Sequence, residues 1–127
     1  MNTKQPDIVL HGRIPSKKNS KKIKWSFRKR RKVIVPSDSH LIWHENATIQ
    51  ILKQSPKKHC GDVKGIEMAF WMPDDRASDL TNKAESVMDL LVDNDILIDD
   101  SWQIVPYVLL KVRGIDRKDP RVLIWIS

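Results

Sequence analysis

Ser78 to Trp102 reads SDLTNKAESVMDLLVDNDILIDDSW. Its apolar residues recur at helical spacing. At about 100° per residue, a helix over 79–92 puts Leu80, Ala84, Val87 and Leu91 in one narrow arc, with Met88 at its margin. That arc is the expected core face. Asp79 opens the helix, and Asn82, Glu85 and Asp89 line a separate polar arc roughly opposite. Asp93-Asn94-Asp95 predicts a turn, and Ile96-Leu97-Ile98 a short apolar strand returning to the core. Asp99-Asp100 closes that return just before Trp102.

Carboxylates aligned on one helix face repel one another, and here only Lys83 interrupts them. A Mg²⁺ ion relieves such repulsion, because it takes oxygen ligands, commonly one or two carboxylates with water and phosphate. Acids near a helix start also favour the macrodipole, so Asp79 taken alone reads equally well as a cap. Asp89, in the second half of the helix, gains nothing from that effect. The expected strand return brings the Asp99-Asp100 pair back beside Asp79. A helix start and a strand end then flank one cation.

The chain around this stretch is basic. The net charge is +7 over 127 residues. Between Met1 and Val35 there are twelve Lys or Arg and one acid, Asp7. Between Asp74 and Asp100 there are nine Asp or Glu and two cations, Arg76 and Lys83. A split of this kind predicts a polyanion-binding arm beside an acidic site. A solvated basic loop with no partner is the plain alternative.

The arm spans about residues 15–32. Ser16 to Ser20 is turn-forming and cationic. Lys21 to Lys32 carries eight basic residues, with Trp25 and Phe27 among them. Aromatic rings among cations stack on bases while the cations meet phosphates. The alternative places Trp25 and Phe27 inward on a strand whose other face is charged. The segment is expected to be a loop or hairpin.

Before the arm, Asp7 to Ile14 predicts a first strand. After it, Lys32 to Val35 predicts a short one. Ser37-Asp38-Ser39 offers caps to a helix over 39–54 carrying Leu41, Ile42, Ala47, Ile49, Ile51 and Leu52. His40 and His44 share a face of it, but no zinc motif accompanies them. Val63 to Met72 predicts a strand with Ile66, Met68, Phe70 and Met72 facing the core. Gln103 to Val112, with Pro106 suggesting an edge or bulge, and Arg121 to Ile126 are expected to pair as a hairpin. The expected fold class is α+β, one domain over 1–127, with a small mixed sheet and two main helices. The single cysteine, Cys60, excludes an intramolecular disulfide. With no apolar run near a membrane span and no secretory h-region, a cytoplasmic protein is expected.

These motifs, in this order, resemble the RusA family of Holliday-junction resolvases. They are a PSKKN segment after a first strand, a strand ending Met72-Pro73-Asp74, then DLTN, an amphipathic helix with Asp89 and a closing DD. The resemblance runs from about Ile8 to Val112 and is densest from Met72 to Trp102. It implies a small α+β homodimer that uses Mg²⁺ or Mn²⁺ to nick two opposed strands of a four-way DNA junction. Residue by residue, it assigns the family's first Asp to Asp79, its Asn to Asn82 and the second acid of its DD pair to Asp100. The family's DLDNxxK pattern departs at two positions: Thr81 stands for its second Asp, and Glu85 for its lysine. Glu85 is read as replacing the lost acid, and Lys83 as replacing the lost cation.

The resulting expectation is metal-assisted phosphodiester hydrolysis. Asp79, Glu85 and Asp100 carry catalysis, and Asp79 and Asp100 hold the metal with Glu85, Asp89 and Asp99. Asn82 and Lys83 support them. Lys17, Lys18, Lys21, Lys22, Lys24, Arg28, Lys29, Arg30, Arg31 and Lys32 hold DNA phosphates. A non-catalytic branched-DNA-binding protein, its acids serving as caps and solubilising charge, is the rival. A nuclease acting on flaps or forks shares the same site.

Overall fold

The computed structural model describes residues 4–15 and 21–127. In chain order its elements are β1 (Ile8–His11), β2 (Lys21–Ser26), β3 (Arg31–Pro36), α1 (Asp38–Gln54), β4 (Ile66–Met72), α2 (Leu80–Asp93), β5 (Val108–Ile115) and β6 (Arg121–Ile126). A four-stranded sheet has the order β1-β6-β4-β5, and β2 with β3 forms a separate two-stranded sheet. The class is the expected α+β, with a mixed sheet: β4 runs parallel to β5 and antiparallel to β6.

β4 lies between β5 and β6 and carries much of the core. Ile66, Met68 and Phe70 are almost completely buried, as the period-two pattern predicts. They meet Ile8 and Leu10 of β1, Val122 and Ile124 of β6, and the inner residues of both helices. A parallel pair needs a long crossover, and α2 lies in the one joining β4 to β5.

Three expectations change. The predicted β5–β6 hairpin does not form, because β4 sits between those strands. A short connection argues for a hairpin, but β6 finds two longer-range partners, β1 and β4. Ile96-Leu97-Ile98 is not a strand. Ile96 and Leu97 are buried in the turn after α2, with both amides donating to the Leu91 carbonyl, and Ile98 is exposed. Strand limits also shift. β1 stops at His11 before Gly12, which has φ 113°. β4 begins at Ile66, not Val63, and β5 begins after Pro106.

α1 begins on Ser37, whose side chain accepts the His40 amide at 3.3 Å. It ends on Ser55 in the left-handed conformation. Trp43, Ala47 and Ile51 turn inward, while Leu41, Ile42, Ile49 and Leu52 stay exposed. α1 also covers the outer edge of β1. Gln54 Oε1 accepts from the Val9 amide at 2.8 Å and its Nε2 donates to the Val9 carbonyl at 2.7 Å. Gln50 does the same for His11, at 2.7 and 3.1 Å. Two side-chain amides one helical turn apart thus stand in for a neighbouring strand and block edge pairing. Among the described residues no helix is long and apolar enough to cross a membrane.

Candidate functional site

The described part of the basic arm, from Lys21 onward, belongs to a β-hairpin. Trp25 pairs with Lys32 and Ser26 with Arg31, and residues 27–30 make the turn, where Arg30 takes φ 50°. β2 and β3 pair with each other and not with the main sheet. The alternation of strand side chains puts Ile23, Trp25 and Ile34 on one ribbon face, and all three are exposed. Phe27, in the turn, is 87% exposed and meets Trp25 edge-to-face at a ring separation of 6.5 Å. The inward alternative for the two rings therefore does not hold. Lys24, Arg28, Lys29, Arg30, Arg31 and Lys32 are all exposed. Lys17 and Lys18 lie outside the described residues, and of Lys21 and Lys22 the backbone alone is described.

The acidic half starts at Asp79, the N-cap of α2. Its Oδ1 accepts from the Thr81 amide at 3.1 Å and from Thr81 Oγ1 at 2.7 Å, and its Oδ2 accepts from Asn82 Nδ2 at 3.1 Å. Thr81, at the position where an acid was expected, thus serves as a donor that holds the Asp79 carboxylate. Asn82 is buried beneath it and does the same. This corrects the polar arc, which placed Asn82 on an open face. Glu85 is exposed and Asp89 half-buried on the outer side of α2.

Lys83 is also buried, not outward, and its Nζ donates to the Ile14 carbonyl at 2.9 Å. Ser86, fully buried, donates to the Pro15 carbonyl at 2.8 Å. These bonds tie α2 to the chain leading into the arm. Burial pushes the Lys83 ammonium pKa down, and neighbouring Arg13 adds to that.

Asp99 and Asp100 are exposed in the loop beyond α2. The Ser101 hydroxyl and then backbone amides hold the Asp99 carboxyl below its ordinary range. The pair does not return to Asp79. Ile96 accepts from the His59 amide and Ile104 from the Val63 amide, so the loop lies by the start of β4. Asp79 lies past the end of β4. α2, about 20 Å long at about 1.5 Å per residue, lies between them. Among the described residues no three His, Cys, Asp or Glu side chains come together to hold a metal ion. The carboxylates have the hard-oxygen chemistry Mg²⁺ takes, but a single chain does not gather Asp79 and Asp100 around one ion.

One cluster escaped sequence reasoning. Arg13 Nη2 and Arg76 Nη2 both donate to Asp74 Oδ2, at 2.7 and 2.9 Å. Arg76 first, then Arg13, holds the Asp74 carboxyl far below the usual range. The mixed charges of Asp74-Asp75-Arg76 after a strand were the available signal; Arg13 carried none, since its partner is 61 residues away. His44, read as a surface residue, bonds Asp93 at 2.9 Å and links α1 to α2. Compared with known proteins, the chain matches no family model and no curated protein.

Proposed function

We propose that the protein is a metal-dependent endodeoxyribonuclease of the RusA type, which binds branched DNA and nicks opposed strands of a four-way junction as a homodimer. The observation that carries this is the free-standing β2–β3 ribbon, with exposed cations on its strands and turn and exposed Trp25 and Phe27 near its tip. A two-stranded ribbon fits the major groove. Its cations meet phosphates and its rings stack on unpaired bases, as at the open centre of a junction. Phosphate contacts read branched shape and not base sequence. The motif order from Ile8 to Val112 supplies the reaction.

Asp79 at the start of α2 and Asp100 in the loop beyond its end favour a two-chain site. Symmetric nicking calls for two sites related by a two-fold. In that arrangement one protomer's Asp79 meets the partner's Asp100, and Glu85, Asp89 and Asp99 border the seam. A bound Mg²⁺ or Mn²⁺ supplies water activation and stabilises charge on the phosphate. Thr81 and Asn82 fix the rotamer of Asp79, and Glu85, exposed one and a half turns on, is placed to accept a proton. Replacing Asp100 by Asn should abolish Mg²⁺-dependent nicking of a labelled four-way junction and leave binding intact. Full activity in that variant overturns the assignment.

A second reading is a branched-DNA-binding protein without catalysis. It is favoured by the Asp79 hydrogen bonds, which are those of a helix cap. Paired symmetric nicks with Mg²⁺ and none with EDTA decide for the nuclease; junction binding with no nicks in either decides for the binder.

A further inference from the structure

Where β4 ends and α2 begins, a cavity of about 190 Å³ is lined by Arg13, Asp74, Arg76 and Lys83, among others. Three cations face one carboxylate, so the formal charge there is +2. Both guanidinium groups converge on the same atom, Asp74 Oδ2. Each keeps donors beyond those bonds, and the Arg13 and Arg76 side chains are 54% and 70% exposed. Lys83 is only 8% exposed. One of its three N–H groups meets the Ile14 carbonyl. A buried ammonium is costly unless paired and hydrogen-bonded, and a second anion in this cavity would complete it.

We infer that Arg13, Arg76 and Lys83 form a phosphate-binding pocket, with Asp74 holding the two arginines in place. The guanidinium groups present planar forks matched to phosphate oxygens, and the ammonium adds a point charge at the floor. A tetrahedral oxyanion is small enough for the cavity. The pocket adjoins both the chain entering the arm and the N-terminus of α2. A backbone phosphate of DNA held by the arm is the ligand it suits, a step that rests on the DNA-binding reading above; free phosphate shares the chemistry.

The test uses the full chain with inorganic phosphate and with a four-way junction as probes. Saturable shifts of the Arg13 and Arg76 Nε–H resonances on adding phosphate are expected. Arg76→Gln, at an exposed side chain, should weaken junction binding about tenfold, the effect of one charge-assisted contact. Lys83→Met, which keeps the apolar stem, should weaken phosphate binding. Asp74→Asn frees both guanidinium groups from their shared anchor and should weaken phosphate binding despite the added positive charge; tighter binding would overturn the role given to Asp74. No saturable shift with either probe overturns the pocket. Shifts with phosphate, but Arg76→Gln binding the junction like the wild type, overturn the DNA seat and leave a free-phosphate site. Shifts with phosphate and no junction binding by any variant overturn the DNA-binding reading and uphold the pocket.

Discussion

Lys83 on α2 and Ile14 just past β1 are joined by a hydrogen bond of 2.9 Å, across 69 residues of chain. The Ile14 side chain is buried, and the bond itself is buried. Removing the donor leaves a carbonyl oxygen without its partner, at about 1–3 kcal/mol. Lys83→Ala, which also loses the packed stem, should fall at the upper end of that range or beyond it, and Lys83→Met at the lower end. Denaturant unfolding checks both. Two variants as stable as the wild type would mean the bond does not hold α2 to this segment.

The arm predicts a separation of affinity from stability. Trp25 and Phe27 lie among exposed residues of a ribbon that does not join the main sheet. Replacing either by Ala should leave the melting temperature nearly unchanged. Binding of a four-way junction should weaken by about 1–3 kcal/mol per ring, the worth of base stacking on an aromatic side chain. Fluorescence anisotropy and thermal melting read the two effects apart. A large loss of stability with unchanged affinity would make the rings packing residues.

Two-chain sites predict complementation. Asp79→Asn and Asp100→Asn should each be inactive alone as homodimers. Mixed and allowed to exchange subunits, they form a heterodimer in which one site carries both substitutions and the other carries neither. Nicking of a single strand should return. Continued inactivity after verified exchange would place both acids of each site in the same chain.

Acid stability follows from held carboxylates. The Arg121 guanidinium, 2.9 Å from Asp116, keeps that carboxyl below its ordinary range, helped by the Lys118 and Asp119 amides. The folded chain therefore binds this proton less readily than the unfolded chain. The stabilisation is complete above the ordinary carboxylate pKa and is lost as pH falls from there through the folded value. Asp74, held by Arg76 and Arg13, behaves alike. Asp116→Asn should lower the melting temperature at neutral pH and flatten its fall in acid. Parallel acid limbs for variant and wild type would contradict this.

The amino-acid sequence by itself determined the local features. Ser37 and Asp79 cap the helices that follow them, because short polar side chains reach the first free amides. Ala84, Val87 and Leu91 face the core because the helical repeat is constant. Ile66, Met68 and Phe70 share a face because strands alternate. The charge split was legible for the same reason, while the arm stood open between a loop and a hairpin.

What only the tertiary structure decided is long-range. β6 enters between β1 and β4, so nearness in sequence did not select its partners. Gln50 and Gln54 close an edge strand some 40 residues away. Lys83 and Ser86, polar by composition, are buried because α2 meets two carbonyls that sequence spacing does not reveal. The stretch from Ser78 to Trp102 holds every carboxylate of the proposed site. The rise of α2 nevertheless carries Asp79 and Asp100 to opposite ends of the sheet, because a parallel crossover must travel the length of the strand it leaves.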